Sequence, residues 1–166
     1  MQRISLLERH LWVIRGGESG VGEHEEEFLR DGVVTVGFGC DKPVTSFDNR
    51  NELQRYLENQ RRHEGMQSSR QLWDFAHKVQ MGDEVVLTRT MRGYERELAL
   101  GRVTGGYQFR EGHGHQHLRT VEWRRTAAYK SGLDEVALRR INQRTTLTLI
   151  SDEDVAKRIR SHCLTR

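Results

Sequence analysis

Short strand-like segments, separated by turn residues, constrain the fold of this chain more than any other feature of its sequence. His10–Arg15, Val33–Gly39 and Thr145–Ile150 are apolar or alternating runs bounded by glycine or polar residues, as is typical of β-strands. About six or seven such strands fall within 166 residues, a length that suits one domain. Many short strands in one small domain favour a closed or half-closed β-barrel.

Two or three helices are inserted early among these strands. Phe47–Gln60 carries an apolar stripe, and the capping pattern Ser68–Gln71 predicts the start of a second helix that continues to Val79. A doubly wound fold needs strands and helices to alternate throughout, which they do not here. We therefore expect an α+β domain with helices packed on the barrel. A short helix or a turn is predicted over Glu23–Arg30, a short helix around Leu133–Ile141, and a terminal helix over Asp152–His162.

Membrane spanning and secretion are not favoured by the sequence. The longest apolar runs, such as Leu11–Ile14 and Val33–Val36, are far shorter than the roughly 20 residues that cross a bilayer, and no signal-peptide pattern is present. Cys40 and Cys163 form no CxxC pair, so neither a zinc ribbon nor a disulfide scaffold is expected. A reducing cytoplasm is the expected location.

Arginine accounts for most of the positive charge. Of the 27 basic residues four are lysines and 23 are arginines, and the formal net charge is +3. Codon composition in a GC-rich genome explains this bias as well as selection does, but the planar guanidinium suits phosphates and base edges in either case. Residues 89–125 hold eight arginines against four glutamates, which predicts a basic stripe on the surface.

The motifs of common enzyme classes are absent from the sequence. There is no GxGxxG, Walker loop, GxSxG elbow or HExxH. Gly16–Gly22 could cradle an anion through its backbone, although its glutamate favours a flexible loop. His113, His115 and His117 alternate and could share one face, but a metal site usually needs further ligands. We expect a solvated or ligand-facing loop there, with no catalytic residue, metal or cofactor.

Aromatic residues outside the expected core are candidates for ligand contacts. Trp12 and Trp123 fall within strands and are assigned to the core. Phe38 is flanked by glycines that leave space for a flat ligand, and Trp73 lies off the apolar stripe of its helix, where it could equally close the rim of the core. Arginines interleaved with aromatics are typical of proteins that stack bases.

Taken together, six ordered segments resemble the EVE-like domains of the PUA-like superfamily. The similarity is to the N-terminal domain found ahead of Mrr-type restriction nuclease domains, with a distant relation to YTH domains, which read a methylated adenine in RNA. It covers most of residues 9–150. The segments are HLWVIRGG (His10–Gly17), GVVTVGFG (Gly32–Gly39), LWDF (Leu72–Phe75), MGDEVVLT (Met81–Thr88), LGRVTG (Leu100–Gly105) and VEW (Val121–Trp123).

The resemblance implies a half-closed PUA-like barrel of about six strands with two or three packed helices, and a pocket for a flipped, modified base. It implies a base-binding domain over residues 1–150, followed by a C-terminal helix over 151–166 that could link to an effector domain. The residues implied for the pocket are Arg15, Gly16, Gly17, Glu18, Phe38, Trp73, Thr88 and Arg89. Those implied for the nucleic-acid backbone are Arg92, Arg96, Arg110, Arg119 and Arg124.

The function that follows from the resemblance is recognition of a modified base, with modified cytosine such as 5-methylcytosine in DNA as the expected target. The chain would be the recognition part of a restriction or defence system, and a nuclease domain or subunit would be its partner. Two alternatives remain open: an RNA-binding PUA-like protein, and a small-ligand protein or small enzyme that uses the same pocket.

Overall fold

The computed structural model describes residues 9–16, 24–60, 65–88, 97–112 and 115–165. Within them the chain forms seven strands and five helices, which confirms the α+β class. The strands are β1 (Leu11–Ile14), β2 (Val33–Val36), β3 (Glu84–Thr88), β4 (Glu97–Val103), β5 (Gln108–Phe109), β6 (His117–Tyr129) and β7 (Leu147–Ile150). The helices are α1 (Glu25–Asp31), α2 (Arg50–Asn59), α3 (Gly65–His77), α4 (Glu135–Ile141) and α5 (Glu153–Leu164).

A single curled sheet contains all seven strands. Its order is β2-β6-β4-β3-β1-β7, with β5 alongside β6, and the β1–β3 pair is parallel. The 13-residue strand β6 pairs with β2 and β5 through its first residues and with β4 through the remainder. Strand β6 thus connects β2 and β5, which pair with its first residues, to β4, which pairs with the rest, and the sheet curls along it. Strands β2 and β7 form the two edges of the sheet. The predicted half-closed barrel is confirmed.

Helices cover both faces of the sheet, so strand β1, which lies between β3 and the edge strand β7, is buried on each side. Trp12 and Ile14 face a first core that includes residues of α1, α2 and α3. Leu11 and Val13 face a second core that includes residues of α4 and α5. Burial on both faces explains why β1 is a continuous apolar run rather than an alternating one.

The terminal helix α5 is part of this second core. Asp152 accepts hydrogen bonds from the backbone N–H groups of Asp154 and Val155 and thereby caps the helix, as predicted. On the other side of the helix, Arg160 Nε lies 2.7 Å from Glu84 Oε1 on β3. The helix is therefore anchored on the sheet, and a further role as a link to another domain stays a prediction.

Two predicted boundaries are wrong for physical reasons. Strand β2 ends at Val36, because the N–H of Cys40 bonds to the carbonyl of Gly37 and closes a turn. Helix α3 begins at Gly65, and Ser69 bonds to the Met66 carbonyl inside the helix instead of capping it. At Gly65 a Cβ atom would lie 2.5 Å from Glu58 Cγ of α2. The Ser68–Gln71 pattern therefore lies inside the helix and does not mark its start.

No helix in the described ranges combines the length and the apolar character that crossing a bilayer requires.

Candidate functional site

Polar side chains from distant parts of the sequence meet near the end of β1. The end of β1 contacts the start of α1, since His24 N–H bonds to the Gly16 carbonyl at 2.6 Å. The His24 ring in turn lies against His115, just before β6. We call the group of side chains at this place the seam cluster; it consists of His24, Glu27, Thr35, Arg110 and His115.

Two imidazole rings form the flat part of the seam cluster. The centroids of His24 and His115 are 3.7 Å apart, and the ring planes differ by 31°. Each ring is also held from one side: His24 Nδ1 lies 3.2 Å from Glu27 Oε2, and His115 Nδ1 lies 3.3 Å from Thr35 Oγ1. These contacts fix the orientation of the rings and present π faces beside a charged pair.

The charged part of the seam cluster is the pair of Glu27 and Arg110, whose Oε1 and Nη2 atoms are 2.8 Å apart. Burial acts to raise the pKa of Glu27, but the hydrogen bonds from Arg110 and His24 outweigh it and lower the pKa below its usual value. Glu27 is therefore a carboxylate at neutral pH. The Arg110 side chain remains 30% exposed, although its Nε is buried without a hydrogen-bond partner.

Three of the predicted pocket residues lie at the ends of β1 and β3, next to the seam cluster. In the parallel β1–β3 pair Ile14 is opposite Leu87, so Arg15 and Thr88 follow as neighbours at the ends of the two strands. Gly16 comes next, and a Cβ atom there would lie 2.6 Å from Glu25 Cγ and 2.9 Å from Glu25 N. Glycine is thus required for α1 to start beside β1, and its role in binding stays a prediction.

Phe38 lies in the turn after β2, not in the strand that the sequence predicts. Its φ of 51° is in the left-handed region, which is uncommon for a residue other than glycine. Its side chain packs partly buried against the first core, so one of its faces is occupied by protein. The predicted open space on both sides of the ring is therefore wrong, although the other face could still contact a ligand.

A buried histidine holds the segment that follows Phe38. His117 is 0% exposed; its Nε2 lies 2.9 Å from the Cys40 carbonyl, and its Nδ1 lies 2.7 Å from Tyr107 Oη. Because a carbonyl only accepts, Nε2 carries the proton and Tyr107 donates to Nδ1, while Tyr107 Oη accepts from Val44 N–H at 2.9 Å. Burial lowers the pKa of His117 and raises that of Tyr107 to about 12, so both side chains are neutral.

The predicted row of exposed histidines is consequently wrong. His115 belongs to the seam cluster, His117 is buried, and His113 lies outside the described residues. No periodicity in the sequence distinguishes these roles, because the partners of His117 come from other parts of the chain.

Arg119 is also placed differently from its prediction as a contact of the nucleic-acid backbone. It is only 4% exposed, and its Nε and Nη2 donate to the carbonyls of Phe75 and Ala76 at 2.8 and 2.9 Å. These carbonyls are in the last turn of α3, where no further helical N–H reaches them. Arg119 therefore satisfies the end of a helix from inside the fold, and the prediction of a phosphate contact is wrong.

The remaining predicted residues lie apart from one another or outside the described residues. Trp73 is on α3, half-buried against the first core, with its ring centroid 4.1 Å from that of His77. Arg124 is exposed on β6. The predicted residues outside the described ranges are Gly17, Glu18, Arg89, Arg92 and Arg96.

Sequence reasoning did not identify His24, Glu27 and Thr35 as site residues. Glu27 was hidden within a run of glutamates, and Thr35 within an apolar strand. The part of the chain that the structure describes contains no group of three or more His, Cys, Asp or Glu side chains suited to a metal ion.

Comparisons with known proteins find a family and a structural likeness. The model of the family described as a domain of unknown function, DUF8426, matches residues 12–150. No curated protein matches the chain. Among solved structures, it is similar to the YTH domain of the Zygosaccharomyces rouxii MRB1 protein in complex with N6-methyladenosine RNA, at 13% identity and a TM-score of 0.47, over 93% of this chain and 86% of that one. The EVE-like and Mrr-type relation stays a prediction.

Proposed function

This chain belongs to the DUF8426 family, and we propose that it is a nucleic-acid-binding module that reads a modified base. The observation that carries the proposal is the seam cluster, in which two imidazole rings in contact, a carboxylate and a guanidinium converge. A base has a flat face and a polar edge, and the seam cluster offers a partner for each.

Stacking is the first of these interactions. A base that is flipped out of its strand loses stacking with its neighbours, at a cost of a few kcal/mol. An aromatic face returns roughly 1–3 kcal/mol per base. The fixed rings of His24 and His115 supply such a face without first having to become ordered.

Recognition of the polar edge is the second interaction. A glutamate accepts from the exocyclic amine of cytosine, and an ionised carboxylate has about four lone-pair sites. Arg110 and His24 each bond to a different oxygen of Glu27, which leaves acceptor capacity on both. Glu27 is thus suited to an amine-bearing base, and Arg110 to a base edge or a phosphate.

Positively charged residues follow the end of β3 in the sequence. Thr88 ends β3 beside Arg15, and the next eight residues include Arg89, Arg92 and Arg96. Arginines near a base pocket hold the phosphate backbone and make binding salt-dependent. The position of these arginines in the sequence, directly after Thr88, supports a nucleic acid rather than a free base as the ligand.

The finer form of the proposal is that the base is a modified cytosine in duplex DNA, that the chain serves a restriction or defence system, and that it has no catalytic activity of its own. Modified RNA is the alternative target. A single methyl group contributes only about 0.8 kcal/mol through burial, so discrimination requires that the pocket also reject the plain base.

Fluorescence anisotropy with four matched oligonucleotides tests the proposal. The set is duplex DNA with and without one 5-methylcytosine, and single-stranded RNA with and without one N6-methyladenosine, the modification named for the YTH structure above. We expect at least about tenfold tighter binding of one modified strand over its plain partner, which corresponds to one good base-edge contact. Equal affinities within each pair would refute base reading, and the pair that separates decides between DNA and RNA.

Two variants connect this result to the seam cluster. Glu27→Gln removes the charged acceptor for an exocyclic amine, which the plain and the modified cytosine share, and is expected to weaken binding of both strands by about tenfold. Glu135→Gln is the matched control, because Glu135 is an exposed carboxylate that pairs with Arg139 on α4. Equal effects of the two variants, with both proteins folded by circular dichroism, would show that the seam cluster does not read the base.

A further inference from the structure

A second polar cleft lies between helix α3 and strand β7. Its volume is about 400 Å³, within the roughly 300–1,000 Å³ range of small-molecule sites. One wall belongs to α3, a second to the edge strand β7, and the end of α4 with its following residues contributes the third. None of the seam cluster residues lines it.

The charges that line this cleft are mostly positive. Arg70 on α3 and Arg140 on α4 are exposed, and neither forms an ion pair or hydrogen bond with any other described residue. Lys78 lines the cleft too and pairs with Asp74 at 3.1 Å. Three cations against one carboxylate leave an excess of about two positive charges, which matches the charge of about −1.5 to −2 on a phosphate monoester at neutral pH.

The neutral groups of the cleft suit a nucleoside. The Leu147 N–H donates to Gln71 Oε1 at 3.0 Å, which ties β7 to α3 and fixes the orientation of this amide. With its oxygen used in this way, Gln71 keeps the two hydrogens of Nε2 for an acceptor on a ligand. Gln143 adds a second amide, and Leu149 adds apolar surface.

We propose that this cleft binds a nucleoside that carries a terminal phosphate monoester, either as a free mononucleotide or as the phosphorylated end of a nucleic-acid strand. Arg70 and Arg140 bind the phosphate through their planar forks, and the two glutamine amides bind the base or sugar. The site is separate from the seam cluster, so neither proposal depends on the other.

Isothermal titration calorimetry with the full chain tests this assignment. The ligands are each of the four nucleoside 5′-monophosphates, the corresponding nucleosides, and one oligonucleotide with either a 5′-phosphate or a 5′-hydroxyl. We expect the phosphate to tighten binding at least tenfold for the mononucleotides, the oligonucleotide or both. Dependence in the mononucleotides identifies the free nucleotide as a ligand, and dependence in the oligonucleotide alone identifies the strand end.

Matched variants assign the effect to the cleft. The double variant Arg70→Gln/Arg140→Gln is expected to remove the phosphate dependence, whereas Arg55→Gln/Arg139→Gln removes the same charge from α2 and α4 outside the cleft and is expected to keep it. A phosphate dependence below twofold for every ligand, or equal losses in the two double variants, would overturn the proposal.

Discussion

Replacing Arg119 by methionine is the sharpest test of how this fold is held together. The buried guanidinium donates to the carbonyls of Phe75 and Ala76 at the end of α3, and at 3.2 Å to the carbonyl of Gly105. Methionine fills a similar volume but donates nothing. Arg119→Met is therefore expected to leave two buried carbonyls and one partly buried carbonyl without their donors.

The magnitude follows from two opposing contributions. Each buried acceptor that loses its partner costs about 1–3 kcal/mol, and the longer bond to Gly105 contributes least. Removing a buried charge returns part of its desolvation cost, which is several kcal/mol for an isolated ion. We expect a net loss of about 2–4 kcal/mol in the free energy of unfolding, which is a large share of the total stability of a typical domain.

Urea denaturation followed by circular dichroism measures this loss. Arg124→Met on the same strand is the control, since Arg124 is exposed and a surface substitution usually changes stability by less than about 0.5 kcal/mol. If Arg119→Met unfolds within 0.5 kcal/mol of the control, Arg119 does not stabilise the end of α3 in the way that the geometry indicates.

The remaining predictions concern pH, packing and salt. Burial holds the pKa of His117 below its usual 6.5, so the contribution of His117 to stability is present above that pH and is lost as the pH falls through the lowered pKa. His117→Gln is therefore expected to show a smaller fall in Tm between about pH 7.5 and 5.5 than the wild type. An equal fall in the two proteins would contradict this. Gly16→Ala places a Cβ atom 2.6 Å from Glu25 Cγ and is expected to cost about 1–3 kcal/mol in thermal unfolding, with an unchanged Tm as the contrary result. Arg89→Gln combined with Arg92→Gln is expected to weaken binding of modified and plain strands by similar factors. The slope of the logarithm of the binding constant against the logarithm of the salt concentration is expected to become shallower by about one to two units. An unchanged slope would place the phosphate contacts elsewhere.

The strands were predictable from the sequence because the apolar pattern that leads to their burial is contained within each strand. Leu11–Ile14 is apolar at every position, and a run of that kind is a buried strand whatever it pairs with. The Ser68–Gln71 capping pattern misplaced the start of α3, since the helix already includes Gly65, which packs closely against Glu58 of α2. Local sequence propensity therefore determines where a helix or strand begins and ends when no contact with another element overrides it.

The polar residues were predictable only in part, for the same reason. Arg119 and His117 were assigned to surfaces because both are polar, yet their acceptors, Phe75 and Cys40, are 44 and 77 residues away in the sequence. Glu27 and Arg110 are 83 residues apart. A sequence pattern records neighbours along the chain, whereas these roles are set by neighbours across the fold.

The position of β1 has a consequence for how the chain folds during its synthesis. It is the first described strand to leave the ribosome, but it pairs with β3 on one side and on the other with β7, the last strand of the sheet. At about 5–20 residues per second, translation separates β1 from β7 by on the order of ten seconds. During that interval the apolar face of Leu11 and Val13 lacks its covering helices, so nascent chains stalled before β7 are expected to bind chaperones, and chains released after α5 are not.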